Sequence, residues 1–205
     1  MGTEWKRIKQ MFYLGIDLGK TRDHTAIAIV ERGHTEKPLQ VRYAERVPLG
    51  TPYPDVVERV RRMVGHEKLR GRCVVVVDAT GMGAPVVDML RSGRLGCDVI
   101  AVNITSGEKE GRSGNFWNVP KRDLMAGVQV LLEKRELKIA RGLEEAGPLV
   151  RELTDVRMMA GSGGRMRMGA DGNGQHDDLV IALALACWRA KRVQNGFGTQ
   201  RLPGI

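Results

Sequence analysis

The chain has 205 residues, of which 42% are hydrophobic, and a formal net charge of +9 at pH 7. This length suits one domain with a core of ordinary size, and the charge favours an acidic partner, with nucleic acid ahead of an anionic membrane surface. Arg and Lys interrupt every apolar region and the start of the chain lacks the apolar stretch of a secretory signal, so we predict a cytoplasmic protein with no membrane partner.

The first third of the chain predicts a meander of three strands. Residues 11–18, 25–32 and 39–47 are rich in Ile, Val, Leu and Ala, and the linkers between them are too short to hold a crossover helix. We therefore expect antiparallel pairing of consecutive strands. Residues 1–10 are polar and predict a flexible arm, and valines at helical spacing predict a helix over 54–65.

The rest of the chain alternates strands with helices. The valine run that ends at Asp78 is typical of a strand buried on both faces, and residues 97–102 predict its neighbour. We predict further elements as follows: helices over 84–91, 120–134, 143–154 and 176–193, a short extended piece over 137–140, a mobile polar loop over 103–118 and a flexible tail over 194–205. This order indicates one α/β domain over 11–193, with a mixed central sheet covered by helices. The isolated Cys73, Cys97 and Cys187 predict buried thiols rather than zinc ligands or disulfides.

Four acidic residues lie where apolar elements begin or end. Asp17 and Asp78 each close a strand, and Asp177 and Asp178 open the last helix. Carboxylates in such positions are costly unless their charge is compensated, and strand ends and helix starts can converge on one point. Oxygen ligands suit Mg²⁺, and a pair of divalent ions can activate water and steady the leaving oxygen of a phosphodiester.

The less specific interpretation of the same residues is structural. Asp17 and Asp78 can be satisfied by turn amides, and one member of the Asp177–Asp178 pair can cap the helix. We take Asp178 as the first choice for a metal ligand and Asp177 as the second. His176 either orients a water or phosphate or is only a polar neighbour.

Four sequence segments around these carboxylates form a recognisable set. In chain order they are LGID (14–17) with DHTAIA (23–28), VDATGMGAPVVD (77–88), NVPKRDL (118–124) and HDDLVIAL (176–183). Together they resemble the nuclease domain of the large terminase subunit of tailed bacteriophages, which has a ribonuclease H-like fold. The resemblance implies a metal-dependent DNA endonuclease that cuts concatemeric DNA during genome packaging, with two Mg²⁺ or Mn²⁺ ions at Asp17, Asp78 and Asp178, and with Asp177 adjacent.

The resemblance also implies how DNA is held. The glycine-rich stretch 157–174 would form a β-hairpin near double-stranded DNA, with phosphate contacts from Arg157, Arg165 and Arg167. Lys121 and Arg122 are further candidates, although a solvated helix face explains them equally well. Implied protein partners are a packaging ATPase domain, a portal and a small terminase subunit. No GxxxxGK[ST] phosphate loop occurs in the sequence, so we expect the nuclease module alone.

Three other functions compete with this one. A Holliday-junction-resolvase-like nuclease of the same fold would use the same carboxylates. GIDLGKT (15–21) resembles the first phosphate loop of actin-like and sugar-kinase-like ATPases, which are normally much longer chains. A non-catalytic DNA-binding domain would use the basic surface alone, with steep salt dependence.

Overall fold

The computed structural model describes residues 10–19, 23–33, 37–81, 83–155 and 177–192, and the backbone of 157–160 and 166–169. The predicted arm, except Gln10, and the whole predicted tail lie outside the described residues, as does His176. No helix in the described part of the chain has the length and apolar content needed to cross a membrane.

The predicted meander is confirmed. Strands β1 (Met11–Asp17), β2 (Ala26–Arg32) and β3 (Leu39–Arg46) pair antiparallel in sequence order. Asp17 lies opposite Ala26, and Met11 lies opposite Arg32 at the other end of the same pair. Helix α1 (Tyr53–Gly65) follows, with a proline in its first turn and one buried face.

Strands and helices then alternate as predicted. The elements are β4 (Cys73–Asp78), α2 (Gly83–Ser92), β5 (Asp98–Thr105), β6 (Gly111–Ser113), β7 (Phe116–Pro120), α3 (Lys121–Glu133), β8 (Leu137–Ile139), α4 (Ala146–Asp155), β9 (Arg157–Ala160), β10 (Met166–Gly169) and α5 (Asp178–Arg192). Strands β9 and β10 pair antiparallel, which confirms the β-hairpin expected in the glycine-rich stretch.

Eight strands form one mixed sheet in the order β6-β7-β5-β4-β1-β2-β3-β8. Strands β4, β5 and β7 run parallel to β1, and β8 runs parallel to β3. The mixed sheet of antiparallel and then parallel strands is therefore confirmed.

The prediction of a mobile loop over 103–118 was wrong. These residues hold the end of β5, all of β6 and most of β7. Strand β6 is the edge of the sheet, and its three residues are exposed. An edge strand that faces solvent needs no apolar pattern, so its polar composition resembled that of a loop.

Helices cover both faces of the sheet. Helices α3, α4 and α5 form one apolar layer with it, and α1 and α2 form the other. Helix α5 lies across β1 and β2 and also packs against α3 and α4, so residues on nearly all of its sides are buried. Cys73 and Cys187 are buried free thiols as predicted, whereas Cys97 is partly exposed.

Glycine at position 15 allows α5 to lie this close to β1. A Cβ atom added to Gly15 would lie 1.8 Å from the carbonyl oxygen of Ala182 and 2.9 Å from the amide nitrogen of Ala186. Both are backbone atoms of α5, which a side-chain rotation cannot move away. The start of α5 is therefore held against the carboxyl end of β1.

Candidate active site

The sheet topology brings the predicted carboxylates Asp17, Asp78, Asp177 and Asp178 to the edge formed by the carboxyl ends of the parallel strands. We call this the acidic edge. Strands β1 and β4 are parallel neighbours in which Ile16 pairs with Val77, so Asp17 and Asp78 follow at equivalent positions. Helix α5 begins at Asp178 and lies along β1. The carboxyl ends of parallel strands share one edge, which is where sites form in open α/β sheets.

The charges of these residues act on one another. Burial raises the pKa of Asp17 well above its usual range, and the carboxylates of Asp78, Asp178 and Asp177 raise it further, in that order. Lys121 opposes this rise. The interpretation of Asp17 as a strand-end residue satisfied by turn amides leaves this crowding of negative charge unexplained, because hydrogen bonds to a carboxylate would lower its pKa.

Lys121 lies inside the acidic cluster. It is the first residue of α3, directly after β7, whose carboxyl end lies at the same edge of the sheet as those of β1 and β4. Its Nζ atom is 2.6 Å from Oδ2 of Asp177. Arg122 instead donates to Asp123 and to the carbonyl oxygen of Glu108, each 3.2–3.3 Å away, and lies on the flank of the site.

Thr80 holds the Asp78 side chain. Its hydroxyl donates to Oδ1 of Asp78 (2.5 Å) and accepts from the Ile104 amide (2.8 Å), while its own amide donates to the same Oδ1 atom (2.8 Å). Burial raises the pKa of Asp78, and the hydrogen bonds from Thr80 and the charge of Lys121 oppose this. One carboxylate oxygen is thus fixed by the turn that follows β4.

A buried ion pair supports the start of α5 from behind. Glu152 of α4 is 6% exposed, accepts the Val180 amide (3.0 Å) and pairs with Arg46 of β3. The Nε atom of Arg46 also lies 4.0 Å from Oδ2 of Asp178. Burial raises the pKa of Glu152 to about 7, against the effects of the Val180 hydrogen bond and Arg46.

These contacts change the expected capping of α5. The carbonyl oxygen of Asp177 accepts the Ile181 amide, so Asp177 occupies the N-cap position. The acceptor for the Val180 amide, however, is Glu152 from a different helix. The Asp177 carboxylate pairs with Lys121 instead.

Sequence reasoning missed three residues that position the carboxylates: Thr80, Glu152 and Arg46. Thr80 had a local signal, because an Asp side chain often accepts a hydrogen bond from the backbone amide two residues later. Glu152 and Arg46 had none, since their pairing joins α4 to β3 across 106 residues of sequence.

The Glu152→Ala variant is expected to unfold more easily than the parent chain. It leaves the Val180 amide without its acceptor and leaves Arg46 with only the more distant carboxylates of Glu145 and Asp178, each 4.0 Å away. We therefore expect a loss of about 2–3 kcal/mol in the free energy of unfolding, less than for a fully buried pair because Arg46 is partly exposed. Urea denaturation measures the change. Glu58→Ala, which removes the exposed ion pair with Arg61, is the control and should change stability by less than about 1 kcal/mol. Equal effects of the two changes would contradict a supporting role for Glu152.

The donor set suits a hard divalent cation. Among the described residues, no three acidic, histidine or cysteine side chains already lie close enough to ligate one ion. The carboxylates nevertheless repel one another at one edge, and Lys121 and Arg46 are the cations that offset their charge. Crowded carboxylate oxygens at a partly buried edge are what Mg²⁺ and Mn²⁺ bind.

Three of the five predicted DNA-binding residues lie in the glycine-rich stretch 157–174. Arg165 lies outside the described residues, and only the backbone of Arg157 and Arg167 is described, on β9 and β10. Helix α3 contacts β10, so the hairpin lies beside the helix that begins with Lys121.

No protein-family model and no curated protein matches the chain. Several solved structures do. The large terminase nuclease from the thermophilic phage G20c matches with 23% identity and a TM-score of 0.64, over 88% of this chain and 82% of that one. The nuclease domain of g2p, the large terminase of bacteriophage SPP1, with bound Mn, matches with 12% identity and a TM-score of 0.56, over 87% and 86%. The fowlpox virus Holliday junction resolvase matches with 13% identity and a TM-score of 0.51, over 89% and 99%.

These similarities confirm the predicted fold. The chain has the ribonuclease H-like fold of viral terminase nuclease domains and of a junction resolvase. The predicted resemblance to terminase nucleases is thereby confirmed for the architecture of nearly the whole chain.

Proposed function

We propose that this chain is a metal-dependent DNA endonuclease, the nuclease module of a phage terminase large subunit. The observation that carries the proposal is the convergence of Asp17, Asp78, Asp177 and Asp178 at one edge of a ribonuclease H-like sheet, where burial and the other three carboxylates raise the pKa of Asp17. A fold serves many functions, so the site carries this argument and the fold supports it.

Asp17, Asp78 and Asp178, with Asp177 beside them, would hold Mg²⁺ or Mn²⁺ ions. Bound there, such ions supply an activated water and neutralise charge on the scissile phosphate. Mn bound to the SPP1 relative supports this choice of metal. The chain's own residues fix the ligands: Thr80 orients Asp78, and the pair of Glu152 with Arg46 supports the helix start that carries Asp178.

The substrate in this proposal is double-stranded DNA. The +9 charge favours a polyanion, and phosphate contacts would come from Lys121, Arg122, Arg157, Arg165 and Arg167. Lys121 is the best placed of these, because its ammonium group already lies among the carboxylates where the scissile phosphate would bind. The proposed role is DNA cleavage during genome packaging in the host cytoplasm. The proposed protein partners are an ATPase domain, a portal and a small terminase subunit, as the likeness to terminases implies.

Plasmid cleavage tests the proposed function. Supercoiled plasmid should be nicked and linearised with Mn²⁺ or Mg²⁺ and spared with EDTA, because the carboxylates alone provide no activated water. Gel electrophoresis follows the reaction. Saturable binding of Mg-ATP without any DNA cleavage would contradict the proposal and favour the ATPase alternative, and cleavage that persists in EDTA would contradict its metal dependence.

A junction-resolving nuclease is the second candidate, favoured by the likeness to the fowlpox virus resolvase. Cleavage of linear, supercoiled and four-way-junction DNA at equal concentrations separates the two functions. A terminase nuclease should cut all three substrates at similar rates. Strong preference for the four-way junction would contradict the terminase function and support the resolvase function.

Thr80→Val should weaken metal-supported cleavage. The change keeps the side-chain shape but removes the hydroxyl that fixes Oδ1 of Asp78, so we expect a loss of about 10–100-fold at low Mn²⁺ concentration. Excess Mn²⁺ should restore part of the rate. Thr80→Ser keeps the hydroxyl and is the matched control. Equal rates for the Val and Ser variants across a Mn²⁺ titration would show that the hydroxyl does not position Asp78.

A further inference from the structure

A basic cavity lies at the pole of the molecule opposite the carboxylates. It occupies about 380 Å³ between the end of α3, the end of α5 and residues 37–39, which lead into β3. Its charged lining residues are Arg32, Lys37, Lys134, Arg135, Lys191 and Glu136. Counted over the described residues, the lining carries five positive charges and one negative charge, a formal charge of +4. Arg32 is opposite Met11, six residues from Asp17 along β1, so the cavity is about 20 Å from the acidic edge.

Arg32 is the buried member of this set. Its side chain is 6% exposed and donates to the carbonyl oxygen of Ala190 near the end of α5. None of the five cations forms an ion pair with a carboxylate within the described part of the chain. A buried guanidinium is normally paired with a carboxylate, whereas the acceptor found for Arg32 is the neutral carbonyl oxygen of Ala190.

The backbone at Arg135 is a second, independent observation. Arg135 follows the C-cap of α3 with a φ of 56°, in the left-handed region where glycine is the usual residue. A bulky residue there is strained, and Arg94 after α2 shows the same strain. Its side chain lines the cavity.

Basic residues near helix C-termini are common because they offset the helix dipole. That effect accounts for Lys134 and Lys191. It does not account for a buried Arg32 on a strand.

We propose that this cavity binds a compact phosphorylated anion, such as an oligophosphate or a nucleoside triphosphate. An arginine guanidinium group can donate two parallel hydrogen bonds to the oxygens of one phosphate group. The net positive charge of the cavity favours a ligand with several phosphate groups. The volume of about 380 Å³ is that of a small-ligand site. The proposal is independent of nuclease activity.

Isothermal titration calorimetry of the full chain with tripolyphosphate tests the proposal. EDTA is present throughout, so that no metal can link the anion to the acidic edge. We expect saturable binding, about tenfold weaker in Arg135→Gly because a charge-assisted contact is lost. Thermal unfolding should occur at the same or a higher temperature, because glycine relieves the strained φ.

Arg94→Gly is the matched control. Arg94 also lies two residues after a helix end with positive φ (46°), is exposed, and does not line this cavity. Its replacement removes the same charge and the same strain, and should leave tripolyphosphate affinity unchanged.

Three further ligands identify the source of the anion. Binding of ATP with similar or higher affinity supports a nucleotide, and binding of tripolyphosphate alone supports an inorganic oligophosphate. Absence of saturable binding by both, or equal weakening by Arg94→Gly and Arg135→Gly, overturns the proposal. Binding of a short DNA duplex or of hexaglutamate, without binding of tripolyphosphate or ATP, also overturns the proposal.

Discussion

The Asp17→Asn variant is expected to lose DNA cleavage while it keeps its fold. Asparagine has the same shape but no negative charge, so it ligates a divalent ion weakly. We expect the cleavage rate with Mn²⁺ to fall by more than about 100-fold, beyond the effect typical of an outer-shell partner. Because Asp17 is crowded by three other carboxylates, removal of its charge should not lower the melting temperature.

The control for this experiment is Asp98→Asn. Asp98 is an exposed aspartate at the first residue of β5, on the opposite edge of the same sheet from Asp17. Plasmid cleavage and thermal unfolding are measured for both variants and the parent chain. Wild-type cleavage by Asp17→Asn would refute the assignment of the site, and loss of cleavage in both variants would point to a change unrelated to the acidic edge.

Gly15→Ala is expected to destabilise the protein strongly. The new Cβ atom would meet the carbonyl oxygen of Ala182 at 1.8 Å, so α5 and β1 have to separate. Overpacking against side chains typically costs about 1–3 kcal/mol, and a clash with helix backbone should reach or exceed the upper value. Urea denaturation gives the change in the free energy of unfolding.

Gly127→Ala is the opposite control. Gly127 lies inside α3, and a Cβ atom there would meet nothing within 4 Å. Alanine favours a helix interior by about 0.5–1 kcal/mol over glycine, so this variant should be more stable than the parent chain. Equal destabilisation by the two substitutions would show that the approach of α5 to β1 is looser than the structure has it.

The packing of α5 against β1 links the effects expected for Asp17→Asn and Gly15→Ala. Helix α5 carries Asp178 at its start and packs along β1, which ends in Asp17. If Gly15→Ala folds at low temperature, the distance between these carboxylates should increase and cleavage should fall with it. The close contact at Gly15 thus serves both stability and the proposed site.

Local patterns were sufficient for most of the strands and for the helices, and they singled out the four acidic residues. The four valines before Asp78 indicate a strand buried on both faces, and short linkers require an antiparallel meander, because a parallel crossover needs more chain. The same reasoning failed for β6 and β7. Pairing at an exposed edge depends on a neighbouring strand rather than on an apolar pattern.

The sequence by itself determined the fold class and the acidic character of the candidate site, and it supplied the prediction of an anionic partner, because periodicity, residue type and net charge are local or additive properties. Only the tertiary structure decided which charges meet. The ion pairs of Lys121 with Asp177 and of Arg46 with Glu152 join residues 56 and 106 positions apart. The burial of Arg32 against the end of α5 spans 158 positions. Contacts of that range follow from strand order and helix packing, which no local pattern records.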